Sequence, residues 1–265
     1  MSSSQDAGGA GIIPFLERRP GNLNETYAER DRMVDGDPEL YLRFGANALG
    51  NMRVALALAR VEEVRSILDF PSGYGRVLRM LRAEFPDAEI VACDVDRAGV
   101  DFCRDTFGAR GVYATPDPRD IKLEGEFDLI WCGSLLTHMP AEKWPVFLRF
   151  FESHLAAGGV LVFSTHGRQT AEVLDAGWTN PADPDVRTPP FALLPDEAKG
   201  VLKDFRETGF GYQKYPFHEE YGFSLSRPDW VAGRILGHPS LRLLLLTEAG
   251  WGGHQDIVAC VKVDG

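Results

Sequence analysis

The side chains able to do chemistry are few and widely spaced. Three of the six histidines, His138, His166 and His254, stand beside apolar, strand-like runs: Phe127 to Cys132, Val160 to Ser164, and the pair Leu241–Thr247 and Asp256–Val263. An imidazole titrates near neutrality, so each is a candidate general base for a hydroxyl nucleophile. The competing reading for any one of them is a polar loop residue or a helix cap. Two carboxylates, Asp69 and Asp94, close the apolar runs Ser66–Phe70 and Glu89–Cys93. Between them lies Pro71-Ser72-Gly73-Tyr74-Gly75. Glycines let a backbone approach a ligand, and the N–H groups opening the next helix favour negative charge. Asp94 stands nineteen residues after Gly75, where an acid can hold ribose hydroxyls.

These residues need elements to position them. Five strand-like runs alternate with helical periods: 66–70, 89–93, 112–114, 127–132 and 160–164 with helices over 76–85, 94–107 and 141–156. That alternation predicts an α/β, doubly wound, mostly parallel sheet. The runs 241–247 and 256–263 flank a Gly-rich link and predict a hairpin, so the last of seven strands is antiparallel. Ahead of the sheet, 24–33 reads as a short polar helix. Asp37-Pro38 caps a longer helix to Ala59, and together they make a helical cap over 21–60. After strand five, an insert over 168–228 holds a Pro-rich loop (180–195), a helix (196–208) and a small hairpin (212–217 with 221–225). Ser226-Arg-Pro-Asp229 reads as a capping box. The expected organisation is a flexible segment 1–20 and one domain, 21–265, whose insert serves as lid or substrate wall.

Ligands of open α/β sheets sit outside the carboxyl ends of the strands. His138 follows strand four, His166 follows strand five, and the final hairpin carries Trp251, His254, Gln255 and Asp256 toward the same rim. The three histidines are therefore expected to converge. Histidines with Asp256 suit a metal by ligand type, but no close-spaced ligand motif is present and no metal is expected. Tyr212, Tyr215, Phe217, His218, Tyr221, Phe223 and Trp230, interleaved with Glu219 and Glu220, could line a pocket for an uncharged or cationic organic molecule, or simply pack a hairpin.

Bulk properties narrow the classes. There are 28 basic against 39 acidic residues, a net charge of −11. Such a surface repels phosphate backbones and anionic membranes, so no nucleic-acid or membrane partner is expected. Cys93, Cys103, Cys132 and Cys260 form no Cys-x-x-Cys pair and read as buried thiols of a reducing compartment. With no signal-peptide pattern at the N-terminus, the expected location is cytoplasmic.

A dinucleotide fingerprint needs a third glycine where this chain has Leu78, which disfavours an NAD-dependent oxidoreductase. Asp69-Phe-Pro-Ser-Gly-Tyr-Gly-Arg76 instead resembles motif I of class I S-adenosylmethionine (SAM) dependent methyltransferases. Asp94 resembles their motif II acid. Phe127-Asp-Leu-Ile130 with Leu135-Leu-Thr-His138 resembles their fourth strand and its loop, and the antiparallel last strand is their topology. The resemblance covers residues 60–166, and 241–263 by topology. It implies the Rossmann-like methyltransferase fold, SAM as cofactor and methyl transfer as activity. It also implies roles. Asp69 orders the turn and reaches the SAM amino group through water, and Gly73 and Gly75 flank the methionine moiety. Asp94 holds the ribose, Val95 packs on adenine and Asp117 accepts from the adenine amino group. Cys132 and Gly133 line the cofactor, and Tyr41 and Gly45 close over its carboxylate. Pro71 replaces the first motif I glycine and removes one backbone N–H from the cofactor turn. The loop after strand four lacks the Asn/Asp-Pro-Pro-Tyr/Phe signature of adenine and glutamine N-methyltransferases, and no Pro-Cys nucleophile of the cytosine C5 enzymes is present. A small-molecule acceptor, methylated on a hydroxyl, is the expectation. A catalytically silent SAM-binding or partner-binding protein is the alternative.

Overall fold

A computed structural model describes residues 16–34, 36–180, 183–188, 191–217 and 221–263. Most of the expected flexible segment, with His218, Glu219, Glu220 and part of the Pro-rich loop, lies outside the described residues.

The centre is a seven-stranded sheet built from β1 (Ser66–Asp69), β2 (Glu89–Asp94), β3 (Arg110–Tyr113), β4 (Phe127–Cys132), β5 (Leu155–His166), β10 (Leu241–Trp251) and β11 (Gln255–Lys262). Its order is β10-β11-β5-β4-β1-β2-β3. β1 pairs in parallel with β2 and β4, while β11 runs antiparallel to both β5 and β10. The doubly wound sheet with one reversed strand is thus as the sequence predicts.

Side chains alternate across a strand, so each strand feeds two cores. Ile67, Ile90, Leu129, Val160 and Ile257 pack under α1 (Pro38–Ala59), α2 (Leu78–Glu84) and α3 (Arg97–Phe107). Their neighbours Leu68, Val91, Ile130, Leu161 and Val258 pack under α4 (Trp144–His154) and α7 (Pro228–Leu236). The near-continuous apolar strands follow from burial on both faces. All four cysteines are buried free thiols. Among the described residues no helix is long and apolar enough to cross a membrane.

Caps set the helix starts that face the sheet's carboxyl edge. The Asp37 side chain accepts from Leu40 N at 2.9 Å, with Pro38 opening α1. Asp96 accepts from Ala98 N and Gly99 N, starting α3 two residues after Asp94. Gly108 ends α3 in the left-handed region at φ 64°.

Several local expectations are corrected. No helix forms over 24–33. Asn24 bonds its own chain at Thr26 N, and Asp31 does the same at Met33 N; such local bonds compete with helical ones. Helix four stops at His154, and Gly158–Gly159 lie inside β5, where Gly159 abuts the Phe127 carbonyl. Ser226 belongs to a strand, and Arg227, ion-paired with Asp229, stands at the N-cap of α7 without a side-chain cap bond. After β5 come α5 (Arg168–Ala176), the short strands β6 (Trp178–Asn180) and β7 (Asp183–Thr188), and α6 (Pro195–Thr208). The expected small hairpin is β8 (Phe210–Lys214) with β9 (Gly222–Ser226), and β9 packs with α5 and α6 in a third apolar cluster through Phe223 and Leu225.

Asp256 is buried in the last hairpin rather than exposed at the rim. Its carboxylate accepts from Ala249 N at 2.9 Å, and a Cβ on Gly167 would come within 1.9 Å of it. Burial, then Glu248, pushes its pKa up to about 6. Raised above the unfolded value, the group makes the folded state less stable once pH rises through 6. Asp256→Asn is therefore expected to stabilise the protein by about 3 kcal/mol at pH 8. The gain should shrink toward zero as pH falls from 6 to 4, read by urea unfolding at each pH. An equal gain at pH 4 and pH 8 would refute it.

Candidate active site

A cavity of about 590 Å³ opens at the carboxyl ends of β1, β2 and β4. Three kinds of surface line it. At one end are Asp31, Tyr41, Asp69 and Arg76; along one side Asp94, Val95, Thr115 and Pro116; at the other end Ser134, His138 and Tyr221.

The Gly-rich turn forms its floor. Gly73 and Gly75 have φ of 50° and 80°, and a Cβ on Gly75 would lie 2.7 Å from the Phe107 ring. Nothing stands within 4 Å of where a Gly73 Cβ would point. Gly73 N donates to Asp94 at 2.7 Å, and Asp96 N donates to its second oxygen at 2.9 Å. Asp94 therefore ties the turn to β2 and keeps lone pairs for a ligand. Burial raises its pKa while these bonds oppose the rise. Gly99 lets α3 approach the turn, since a Cβ there would meet the Gly73 carbonyl at 2.5 Å.

Asp69 is 1% exposed, and neither carboxylate oxygen makes a well-formed hydrogen bond among the described residues; the Leu78 backbone N–H is near enough to oppose the rise in its pKa weakly. Burial and then the Asp94 charge hold its pKa well above the usual range. Arg76 faces the same end, its guanidinium 5.2–5.9 Å from the rings of Trp251, Phe44 and Tyr41. Burial lowers its pKa. A buried carboxylate and a guanidinium in one pocket end match the ammonium and carboxylate of an amino acid. Trp251 is itself held by its indole N–H on the Phe44 carbonyl, 2.9 Å away.

The other expected residues are placed as follows. Pro71 and Gly133 line the cavity, and Gly133 is needed because the Trp131 ring lies 2.7 Å from where its Cβ would be. Val95 is 61% exposed on the wall. Tyr41 lines the polar end, its hydroxyl kept protonated by burial. Gly45 lies beneath, where a Cβ would strike the Arg76 carbonyl at 2.5 Å; it serves the approach of α1 to the turn. Cys132 is buried outside the lining. Asp117 also lies outside it, bonded to Arg119 N and Nε and held well below the ordinary carboxylate range by that arginine.

The three histidine rings lie in a row, with His138–His166 and His166–His254 centroids 6.1 and 6.2 Å apart. Only His138 of the three lines the cavity. Its Nδ1 is 2.7 Å from the Gly222 carbonyl, and its ring stacks on Tyr221 at 4.4 Å. A carbonyl only accepts, so Nδ1 carries a proton, and whenever the ring is neutral its basic lone pair lies on Nε2. Beside it, Ser134 sits at φ 57°, an uncommon setting for a non-glycine residue. Ser134 N donates to Ser164 Oγ at 2.8 Å, which donates to Gln255 Oε1 at 2.6 Å. Among the described residues no group of three or more His, Cys, Asp or Glu is placed to hold a metal.

Sequence reasoning missed Asp31, Arg76 and Ser134 as components of the site, whereas Tyr221, expected as a possible pocket residue, and Trp251, expected at the rim, both line the cavity. Arg76 had a signal, since it directly follows the Gly-rich turn. Tyr221 had its place in an aromatic-rich insert as a signal, but only the folding back of that insert brings it over the loop after β4.

Residues 68–161 match the family model described as "Methyltransferase domain". The chain is 31% identical over 129 residues to trans-aconitate 2-methyltransferase of Methylobacterium radiotolerans, covering 49% of this chain and 48% of that one. It is 28% identical over 155 residues to malonyl-[acyl-carrier protein] O-methyltransferase of Acetivibrio thermocellus, covering 57% and 54%. The chain thus spans about half the length of these curated relatives. Among solved structures, a SAM-dependent methyltransferase from Clostridium acetobutylicum superposes with a TM-score of 0.56 at 13% identity, over 89% of this chain and 96% of that one. Streptomyces venezuelae DesVI gives 0.56 at 16% identity, over 90% and 100%. At such identities the likeness is one of fold.

Proposed function

We propose that this chain, whose residues 68–161 match the methyltransferase-domain family model and whose sheet has the class I methyltransferase topology, transfers the methyl group of SAM to a small organic acceptor. The observation that carries the reading is Asp69, a buried carboxylate in the cavity with neither oxygen in a well-formed hydrogen bond. A ligand amino group supplies the missing donors. Arg76 would take the carboxylate of the same methionine moiety, Asp94 the ribose hydroxyls, and Val95 with Pro116 a face of the adenine. Bound SAM supplies an electrophilic methyl on a sulfonium, so the chain's task is alignment and proton removal.

The acceptor enters at the end formed by Ser134, His138 and Tyr221, the last contributed by the insert. The fixed tautomer of His138 supports O-methylation, with Nε2 taking the hydroxyl proton as the new bond forms. His138→Gln is expected to lower the rate about 100-fold and to abolish the acidic limb of the pH–rate profile, with SAM affinity unchanged. An unaltered profile would remove His138 from the chemistry.

The test of the whole reading is titration calorimetry with SAM, and with NADH as control, followed by labelled-methyl transfer to a panel of phenols, sugars, amines and carboxylic acids. Micromolar SAM binding with transfer supports it. No SAM binding, or a preference for NADH, refutes it. SAM binding without transfer to any acceptor would identify a silent binder.

A further inference from the structure

His166 differs from His138 in what it can reach. It is 4% exposed, lies outside the cavity lining, and is stacked on Phe223 at 4.9 Å. Its Nδ1 lies 3.2 Å from the Ser224 carbonyl. The partner is informative because of where β9 sits. β9 pairs with β8 along one edge, and its odd-numbered residues bond that way: Tyr215 N donates to the Tyr221 carbonyl, and Arg227 N to the Gly209 carbonyl. By the alternation of a strand, the Gly222 and Ser224 carbonyls leave from the opposite edge. Buried strand edges need partners for such groups. Here His138 meets Gly222 and His166 meets Ser224, at 2.7 and 3.2 Å. Ser224 Oγ adds a bond to the Leu136 carbonyl at 3.0 Å, and Tyr221 Oη one to the Ser134 carbonyl at 3.4 Å.

We infer that His166 is a positioning residue: by donating Nδ1–H to Ser224 it fastens the free edge of β9 to the end of β5, and so sets Tyr221 and the Nδ1–H tautomer of His138 at the acceptor end. Two imidazoles take the place of a further strand along that edge. His166 stays uncharged, because burial and then the neighbouring His138 and His254 depress its pKa well below the ordinary value. The importance of Tyr221 and His138 rests on the methyltransferase reading above; the latch itself does not.

The test uses the full chain and needs no acceptor. Long-range proton–nitrogen NMR spectra report which ring nitrogen carries the proton. In the wild type, His138 and His166 should both read as Nδ1–H. His166→Asn keeps an amide donor near the place of Nδ1 and should preserve the His138 signature. His166→Gln carries its amide one bond further, and His166→Phe keeps a ring without a donor; both should lose that signature. SAM affinity should stay within twofold of wild type throughout, because His166 does not line the cavity. An Nε2–H form of His166 in the wild type overturns the latch. So does an Asn variant indistinguishable from Phe, or a Phe variant that leaves His138 unchanged. If the Phe variant fails to fold, the wild-type spectrum and the Asn–Gln contrast decide. A wild type showing both Nδ1–H signatures but no SAM binding would refute the methyltransferase reading and keep the latch.

Discussion

Asp94→Ala is expected to weaken SAM binding at least 100-fold. The side chain does two things at once. It accepts from Gly73 N and Asp96 N at 2.7 and 2.9 Å, which hold the Gly-rich turn against β2. It also presents its remaining lone pairs to the cavity, where the proposed ribose would lie. Hydrogen bonds to a charged group contribute about 1.5–3 kcal/mol each, and about 2.7 kcal/mol is a hundredfold in affinity. Asp94→Asn keeps one acceptor oxygen and should fall between wild type and Ala. Calorimetry with SAM reads all three. A dissociation constant for the Ala variant within threefold of wild type would mean that the cofactor does not use this acid.

Asp69→Asn is expected to move stability and binding in opposite directions. At pH 8 the wild-type carboxylate is buried without a well-formed hydrogen bond, close to the Asp94 charge. Its folded pKa lies above the unfolded one, so the ionised group destabilises the folded state at high pH. That cost disappears as pH falls through the folded pKa toward the unfolded value. Removing the titrating carboxyl should therefore raise Tm at pH 8. The gain should fade in acid. SAM affinity should fall at least tenfold, since the amide offers the ammonium no charge. Thermal scans with and without SAM would show the crossing: the variant melts higher alone, and the wild type gains more from the ligand. A variant less stable at pH 8 would mean that Asp69 holds the turn instead of awaiting a ligand. Asp94 contributes to the Asp69 shift, so the two substitutions should not add.

How much of this was readable in the sequence follows from the range of each signal. Strand positions are carried by short apolar runs such as Ile67-Leu68 and Ile90-Val91, which the sheet buries on both faces. Asp37-Pro38 and Gly108 mark helix ends through sterics and capping confined to one turn of chain. The Gly73–Gly75 turn with Asp94 is a local βαβ pattern, so its chemistry could be read before the fold was known. The expected helix over 24–33 failed because Asn24 and Asp31 bond their own backbone, a competition that periodicity does not register.

The acceptor end is different in kind. Tyr221 meets the Ser134 carbonyl 87 positions away, and His138 meets Gly222 across 84. Arg76 is enclosed by Phe44 and Trp251, whose indole bonds the Phe44 carbonyl across 207 positions. No local pattern encodes such pairings, because they arise when the insert folds back over the sheet edge and the last hairpin closes against α1. Composition and spacing thus fixed the sheet and the cofactor turn. Which histidine faces the cavity, and which is spent holding β9, was settled by packing between distant segments, because an imidazole's role depends on what lies opposite each ring nitrogen.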